Sequence, residues 1–146
     1  MQFSGTEEIA APREKVWAFL VDPNQVGSCG PGVQSIEVVD DDHFNARAKV
    51  GVGFITATFN VHMTFVERVP LDHAKFQARG QAPGSAVDAV GEMHLSDGAS
   101  GGTKMEWSAT VNISGTLASV GARLIEGTAR KLIGQTFGCI RTKIEA

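Results

Sequence analysis

Hydrophobic and polar residues alternate with a period of two through most of this chain, and the pattern breaks only near its start and at its end. Phe3, Gly5, Glu7 and Ile9 share one parity against Ser4, Thr6 and Glu8, which predicts a strand with one covered side. Between Val33 and Ser114 the same period predicts six more strands, near 33–40, 43–51, 54–69, 73–81, 85–96 and 103–114. The links carry turn chemistry: Asp40-Asp41-Asp42, Gly51–Gly53, Pro70-Leu71-Asp72, Ala82-Pro83-Gly84 and Asp97–Gly102. Connections that short join antiparallel neighbours, so the strands form a meander.

Two stretches follow the helical period instead. In "APREKVWAFLVDP", Pro12 suits a first turn, Val16, Trp17, Phe19 and Leu20 make an apolar stripe, and Asp22-Pro23 ends the element. "NQVGSCGPGV" reads as a loop or one further helical turn, and Gly30-Pro31-Gly32 forces a change of direction. The last element is a helix from about Leu117 to Ile144, about 42 Å long at 1.5 Å per residue. The order is strand, short helix, six strands, long helix. This predicts an α+β fold in one domain, 1–146, whose seven-stranded antiparallel sheet curls around the long helix to cover one face.

Parity assigns the inner face. Phe44, Ala46, Ala48 and Val50 point inward, as do Phe59, Val61, Met63 and Phe65. So do Ala74, Phe76, Ala78 and Gly80, then Val87, Ala89, Gly91, Met93 and Leu95, and finally Met105, Trp107, Ala109, Val111 and Ile113. Large apolar residues are mixed with many Ala and Gly, and the methionines are adaptable fillers. The mixture suits either a packed core or a pocket between sheet and helix. The residues predicted to line a pocket are Phe59, Val61, Met63, Phe76, Met93, Met105, Trp107, Leu132 and Phe137. The loop at Cys29–Gly32 is a candidate lid over it.

Little on that face can do chemistry. His62 and His94 have outward parity, His43 and His73 sit beside turns, and only Glu7 shares parity with buried residues, where an ion pair at the rim is expected. No HExxH, GxSxG or Cys–His arrangement occurs, so no catalytic residue and no metal ligand set is assigned. The Asp triplet reads as a solvated turn. A net charge of -3 argues against a general nucleic-acid binder. Cys29 and Cys139 match no metal or redox spacing and are expected to be reduced. "MQFSGTEEI" has no apolar signal-peptide core and no window reaches about 18 apolar residues, so a cytoplasmic location is expected, with peripheral contact at the inner membrane face left open.

The end motifs carry a resemblance. "FSGTEEIAAPREKVWAFLVDP", followed by Pro31-Gly32, and "ISGTLASVGARLIEGTARKLIGQTF" are similar to the carbon monoxide dehydrogenase CoxG family, within the helix-grip fold of the START-like (SRPBCC, Bet v 1-like) superfamily. The resemblance covers the whole chain. It implies a hydrophobic pocket between long helix and sheet that holds a quinone- or lipid-like molecule, and no catalytic residues. It also implies an accessory role beside a molybdenum-containing carbon monoxide dehydrogenase-type hydroxylase, in maturation, membrane recruitment or handling of a lipophilic electron acceptor. Some members reach the membrane through a C-terminal extension; with Ala146 just after the helix, that route is not expected here. Similar folds also host polyketide cyclase and aromatase enzymes, which would need polar groups converging in the pocket. A third reading is an assembly factor acting only through its helix surface.

The long helix contains Gly127, Gly134 and Gly138, each costing about 1 kcal/mol against alanine. At about 100° per residue, Ile125, Ala129, Leu132, Ile133, Thr136, Phe137 and Ile140 form the sheet-facing arc, with Gly121 at its edge for close approach. The other three glycines fall on the opposite side, flanked by Arg123, Arg130 and Arg141 on one edge and Lys131 on the other. Such a smooth, basic-edged strip suits a partner protein or a second copy of the chain. The alternative is that sheet packing already fixes the helix, so the glycines are merely tolerated.

Overall fold

The computed structural model describes residues 1–146. Its elements are β1 (Gln2–Ile9), α1 (Arg13–Leu20), α2 (Pro23–Gly27), β2 (Val33–Val38), β3 (His43–Val52), β4 (Ile55–Val69), β5 (His73–Ala82), β6 (Ser85–Asp97), β7 (Thr103–Gly115) and α3 (Ala122–Glu145). The seven strands form one antiparallel sheet in the order β1-β7-β6-β5-β4-β3-β2. Every link from β2 to β7 is a hairpin, and β1 closes onto β7 with Gly5 opposite Trp107. The N-terminal amine ties down that edge by donating to the Val111 carbonyl at 2.8 Å.

The short helical stretch splits in two. α1 ends at Leu20, and Asp22 starts α2 by accepting from the Asn24 N–H at 3.0 Å, with Pro23 in the first turn. Asp40 Oδ1 accepts the Asp42 and His43 N–H groups at 2.9 Å each, so the Asp triplet is a side-chain-capped turn.

Several expectations are corrected. The long helix starts at Ala122, because Thr116–Val120 form a 3₁₀ turn and Gly121 has φ +101. Gly121 is therefore required by backbone conformation; a Cβ there would meet nothing within 4 Å, so it serves no close approach of helix to sheet. Nor does the long helix cover the sheet alone. α1 buries Val16, Phe19 and Leu20 in the same cluster as Met93, Leu95, Met105, Ile140 and Ile144.

A further correction concerns the cysteines. Cys29, just after α2, and Cys139, in the last third of α3, form a disulfide with Cα atoms 5.4 Å apart across a sequence separation of 110. Spacing along the chain carried no sign of it, because the pairing depends on α3 crossing the loop after α2. Cys29 is 4% exposed, and the Gly32 carbonyl accepts a backbone bond from Lys49 at 2.9 Å. A loop bonded at both ends is not a lid.

Candidate functional site

The inner face divides into two regions along α3. At one end Ile9, Ala11, α1, Met93, Leu95, Met105, Ile140 and Ile144 fill the space completely; Val16, Met105 and Ile144 are at most 1% exposed. At the other end a smaller cluster of Val52, Phe59, Leu117 and Ile125 joins the first turn of α3 to the β3–β4 hairpin. Between them lies a cavity of ≈ 250 Å³. Small residues create it: Ala48, Ala78, Gly80 and Ala89 on the sheet oppose Ala129 on the helix, and none of them spans the gap. Register places Phe59 opposite Ala48, Ala78 opposite Ala89, and Ala89 opposite Val111, so β5 and β6 present two adjacent small side chains to the cavity. All the lining residues are hydrophobic except Gly80 and Thr128. The Thr128 hydroxyl is the one hydrogen-bonding side chain in the walls.

Of the residues singled out from sequence, Phe59, Val61 and Leu132 line this cavity. Met93 and Met105 are packed into the filled end, and Trp107 and Phe137 lie against them with ring centroids 5.1 Å apart. The Trp107 indole lies on Gly5, where a Cβ would come within 2.9 Å of Cζ2, and its Nε1 is buried without a hydrogen-bond partner. Phe76 occupies the space left by Gly91 on the adjacent strand, and Met63 sits between Phe44 and Ala78. These six aromatic and sulfur side chains therefore lie outside the cavity walls. Ala48, Ala78, Val87, Ala89, Val111 and Ile113, which share the inward parity, complete the walls; side-chain size does not mark them, because the cavity exists where small residues fail to span the gap.

The helix strip has the orientation that periodicity requires. A Cβ added at Gly127, Gly134 or Gly138 would meet nothing within 4 Å. Its basic edge is partly engaged. Arg130 pairs with Glu126 at 3.0 Å and lies over the Phe3 ring, and Arg141 pairs with Glu7 at 2.6 Å. Glu7 is thus the rim ion pair expected of it. Arg123 and Lys131 belong to no ion pair. The outer sheet face carries shallow grooves with polar walls, one of them lined by His62, Thr64, Gln77 and the Arg79–Asp88 pair.

A curled seven-stranded sheet gripping a C-terminal helix, with an apolar cavity between them, defines a helix-grip protein of the Bet v 1-like class with the build of a ligand-binding module. Residues 5–145 match the model of the carbon monoxide dehydrogenase CoxG family, and the chain belongs to that family. Comparison with curated protein sequences gives no significant match. Among solved structures, a conserved protein from Geobacillus kaustophilus superposes with a TM-score of 0.91 at 24% identity, covering 99% of this chain and 95% of that one. The Zhui aromatase/cyclase from Streptomyces sp. R1128 gives 0.72 at 14% identity, covering 99% and 93%. Ara h 8.0201 gives 0.69 at 18% identity, covering 99% and 97%. At these identities the likeness is one of fold. No helix is long and apolar enough to cross a membrane.

Proposed function

We propose that the chain is a non-enzymatic binding module that holds part of an elongated apolar molecule, quinone- or lipid-like, between sheet and α3. The observation that carries this reading is the wall chemistry of the cavity: Thr128 is its single hydrogen-bonding side chain, and every titratable side chain lies outside it. Ligand sites are characteristically apolar with few polar groups. A volume of ≈ 250 Å³ is just below the roughly 300–1,000 Å³ usual for drug-sized ligands, so it suits a ring or a chain segment rather than a whole long molecule. Cyclase-type chemistry would need an acid or base beside the substrate, and Thr128 alone does not supply one. Family membership extends the proposal to an accessory or recruitment role beside a molybdenum-containing carbon monoxide dehydrogenase-type hydroxylase.

Solvent extraction of natively purified protein, followed by mass spectrometry of the extract, tests this reading. A stoichiometric quinone or lipid supports it. An empty extract, together with no binding of an added apolar quinone analogue, removes it.

A further inference from the structure

Helix α3 carries three threonines, and two of them are satisfied within it. Thr136 Oγ1 donates to the Leu132 carbonyl at 2.8 Å, and Thr142 Oγ1 donates to the Gly138 carbonyl at 2.9 Å, each four residues back. That local bond is a common resting place for a hydroxyl inside a helix. Thr128 is the exception. Its hydroxyl forms no hydrogen bond within the protein, although Leu124 stands at the same offset behind it.

The position of Thr128 gives this exception a meaning. It is a wall of the ≈ 250 Å³ cavity, and so are Ile125, three residues before it, and Leu132, four residues after it. Those spacings put the three on one face of the helix. Every wall that the sheet contributes is Ala, Val, Ile, Phe or Gly, so no other side chain there can donate or accept a hydrogen bond. No local bond ties the Thr128 rotamer either, which leaves the hydroxyl available to whatever fills the space. It is half-buried, within reach of a bound molecule and not locked into the core.

We infer that Thr128 is the specificity-determining residue of the cavity, and that it selects an uncharged apolar ligand bearing a carbonyl oxygen over a bare hydrocarbon and over a carboxylate. A threonine bonded back to its helix has committed its one proton and offers lone pairs alone; Thr128 keeps the proton, which suits an acceptor on the ligand. A hydrocarbon fits the walls and leaves that donor unpaired. A carboxylate or phosphate head would be an uncompensated charge, because no cation stands in the walls. The same bond fixes orientation: the ligand oxygen lies against α3 and its apolar body over Ala48, Ala78 and Ala89. The inference rests on the carrier reading of the cavity and names the polar end of the ligand, which that reading leaves undefined.

The test is equilibrium dialysis of the full chain against three probes on one ring skeleton: fluorene, 9-fluorenone, in which a C=O replaces the CH2, and fluorene-9-carboxylate. Thr128→Val keeps the side-chain shape and removes the hydroxyl. It weakens fluorenone binding roughly two- to tenfold, the worth of one neutral hydrogen bond, and leaves fluorene binding unchanged. Thr128→Ser restores fluorenone binding. The wild-type chain holds the carboxylate about tenfold or more weakly than fluorenone. The urea midpoint of Thr128→Val matches wild type, since no bond within the protein is lost, whereas a structural role would lower it. Ala129→Leu weakens fluorene and fluorenone alike and so marks the cavity as their site. Unchanged fluorenone binding by Thr128→Val, an equal loss of fluorene, or carboxylate binding as tight as fluorenone overturns the inference while the carrier reading stands. Failure of the wild-type chain to bind either neutral probe, or binding that Ala129→Leu does not alter, overturns both.

Discussion

Cys29 and Cys139, 110 residues apart in sequence, are bonded across the filled end of the fold and tie the loop after α2 to α3. The bond closes most of the chain into one covalent loop, which restricts the unfolded state far more than the folded one. It also holds α3 against α1 at the end where the core is complete, and the cavity lies beyond that anchor.

Reduction should therefore destabilise without unfolding the cavity-forming sheet. In the chain-entropy account a loop of this length contributes about 4–5 kcal/mol, and measured disulfides typically contribute about 2–4 kcal/mol. Cys29→Ser with Cys139→Ser should lower the denaturant midpoint accordingly, and dithiothreitol should have no effect on the double variant. Thiol titration of natively purified, denatured protein should find no free thiol. Two thiols per chain would show that the bond is open where the protein works, since such bonds persist in oxidising compartments and are rare in the cytosol.

The glycines of α3 and its entry have opposite expected responses. Gly127, Gly134 and Gly138 have open space where a Cβ would stand. Replacing each with Ala should stabilise by roughly 0.5–1 kcal/mol. Gly121→Ala should destabilise, because φ +101 is strained for any L side chain. Urea denaturation reads both. If Gly134→Ala and Gly138→Ala also abolish a partner or self-interaction, the strip is a docking face. If all interactions survive, the glycines are there by tolerance.

Filling the cavity should separate binding from folding. Ala129→Leu projects from α3 into space bounded by Ala48, Ala78 and Ala89. It should weaken binding of an apolar probe at least tenfold with the melting temperature unchanged or raised, since occupying a void restores lost contacts. The converse change, Leu132→Ala, should enlarge the site and destabilise, by less than the about 2–5 kcal/mol of a fully buried leucine because Leu132 is half-buried. Equal probe binding by wild type and Ala129→Leu would place the ligand elsewhere.

His73 gives the protein a pH signature on its outer face. Its Nδ1 bonds Asp72 at 2.9 Å and its Nε2 lies 3.1 Å from Glu67, and these carboxylates, Asp72 foremost, raise its pKa above the ordinary 6.5 against the opposing effect of desolvation. A raised folded-state value favours the protonated folded form. The contribution is complete below pH 6.5 and is lost as pH rises through the higher folded value. Denaturation midpoints of wild type and His73→Gln should differ most on the acid side and converge on the alkaline side. A difference independent of pH would refute the assignment, and an NMR titration of the ring protons gives the direction directly.

Much of the fold was legible in alternation. Parity placed Phe44, Phe59, Phe65, Met93 and Met105 inward, and all are buried. Turn residues marked the hairpin links, because Asp, Gly and Pro act locally. The start of α3 is not legible in periodicity, because the 3₁₀ turn at Thr116–Val120 and the backbone angle of Gly121 decide it, and periodicity expresses neither. The site was legible only in part. Phe59, Val61 and Leu132 were chosen as large inward residues, yet the cavity exists through Ala48, Ala78, Gly80, Ala89 and Ala129.

The sequence by itself determined which side of each strand faces the helix, the order of the elements, and the glycine strip on the back of α3. Those properties follow from chain periods of 2 and 3.6 and need no knowledge of distance. Tertiary structure decided which parts of the inner face are filled and which stay empty. That outcome depends on the gap between helix and sheet, which α1 closes at the end of Ile140 and Ile144 and the small residues leave open around Ala129. It also decided that Cys29 meets Cys139, that Arg141 meets Glu7, and that the hairpin bearing Phe54 rests on Leu124. Each of those pairings joins residues whose separation along the chain says nothing about their separation in space.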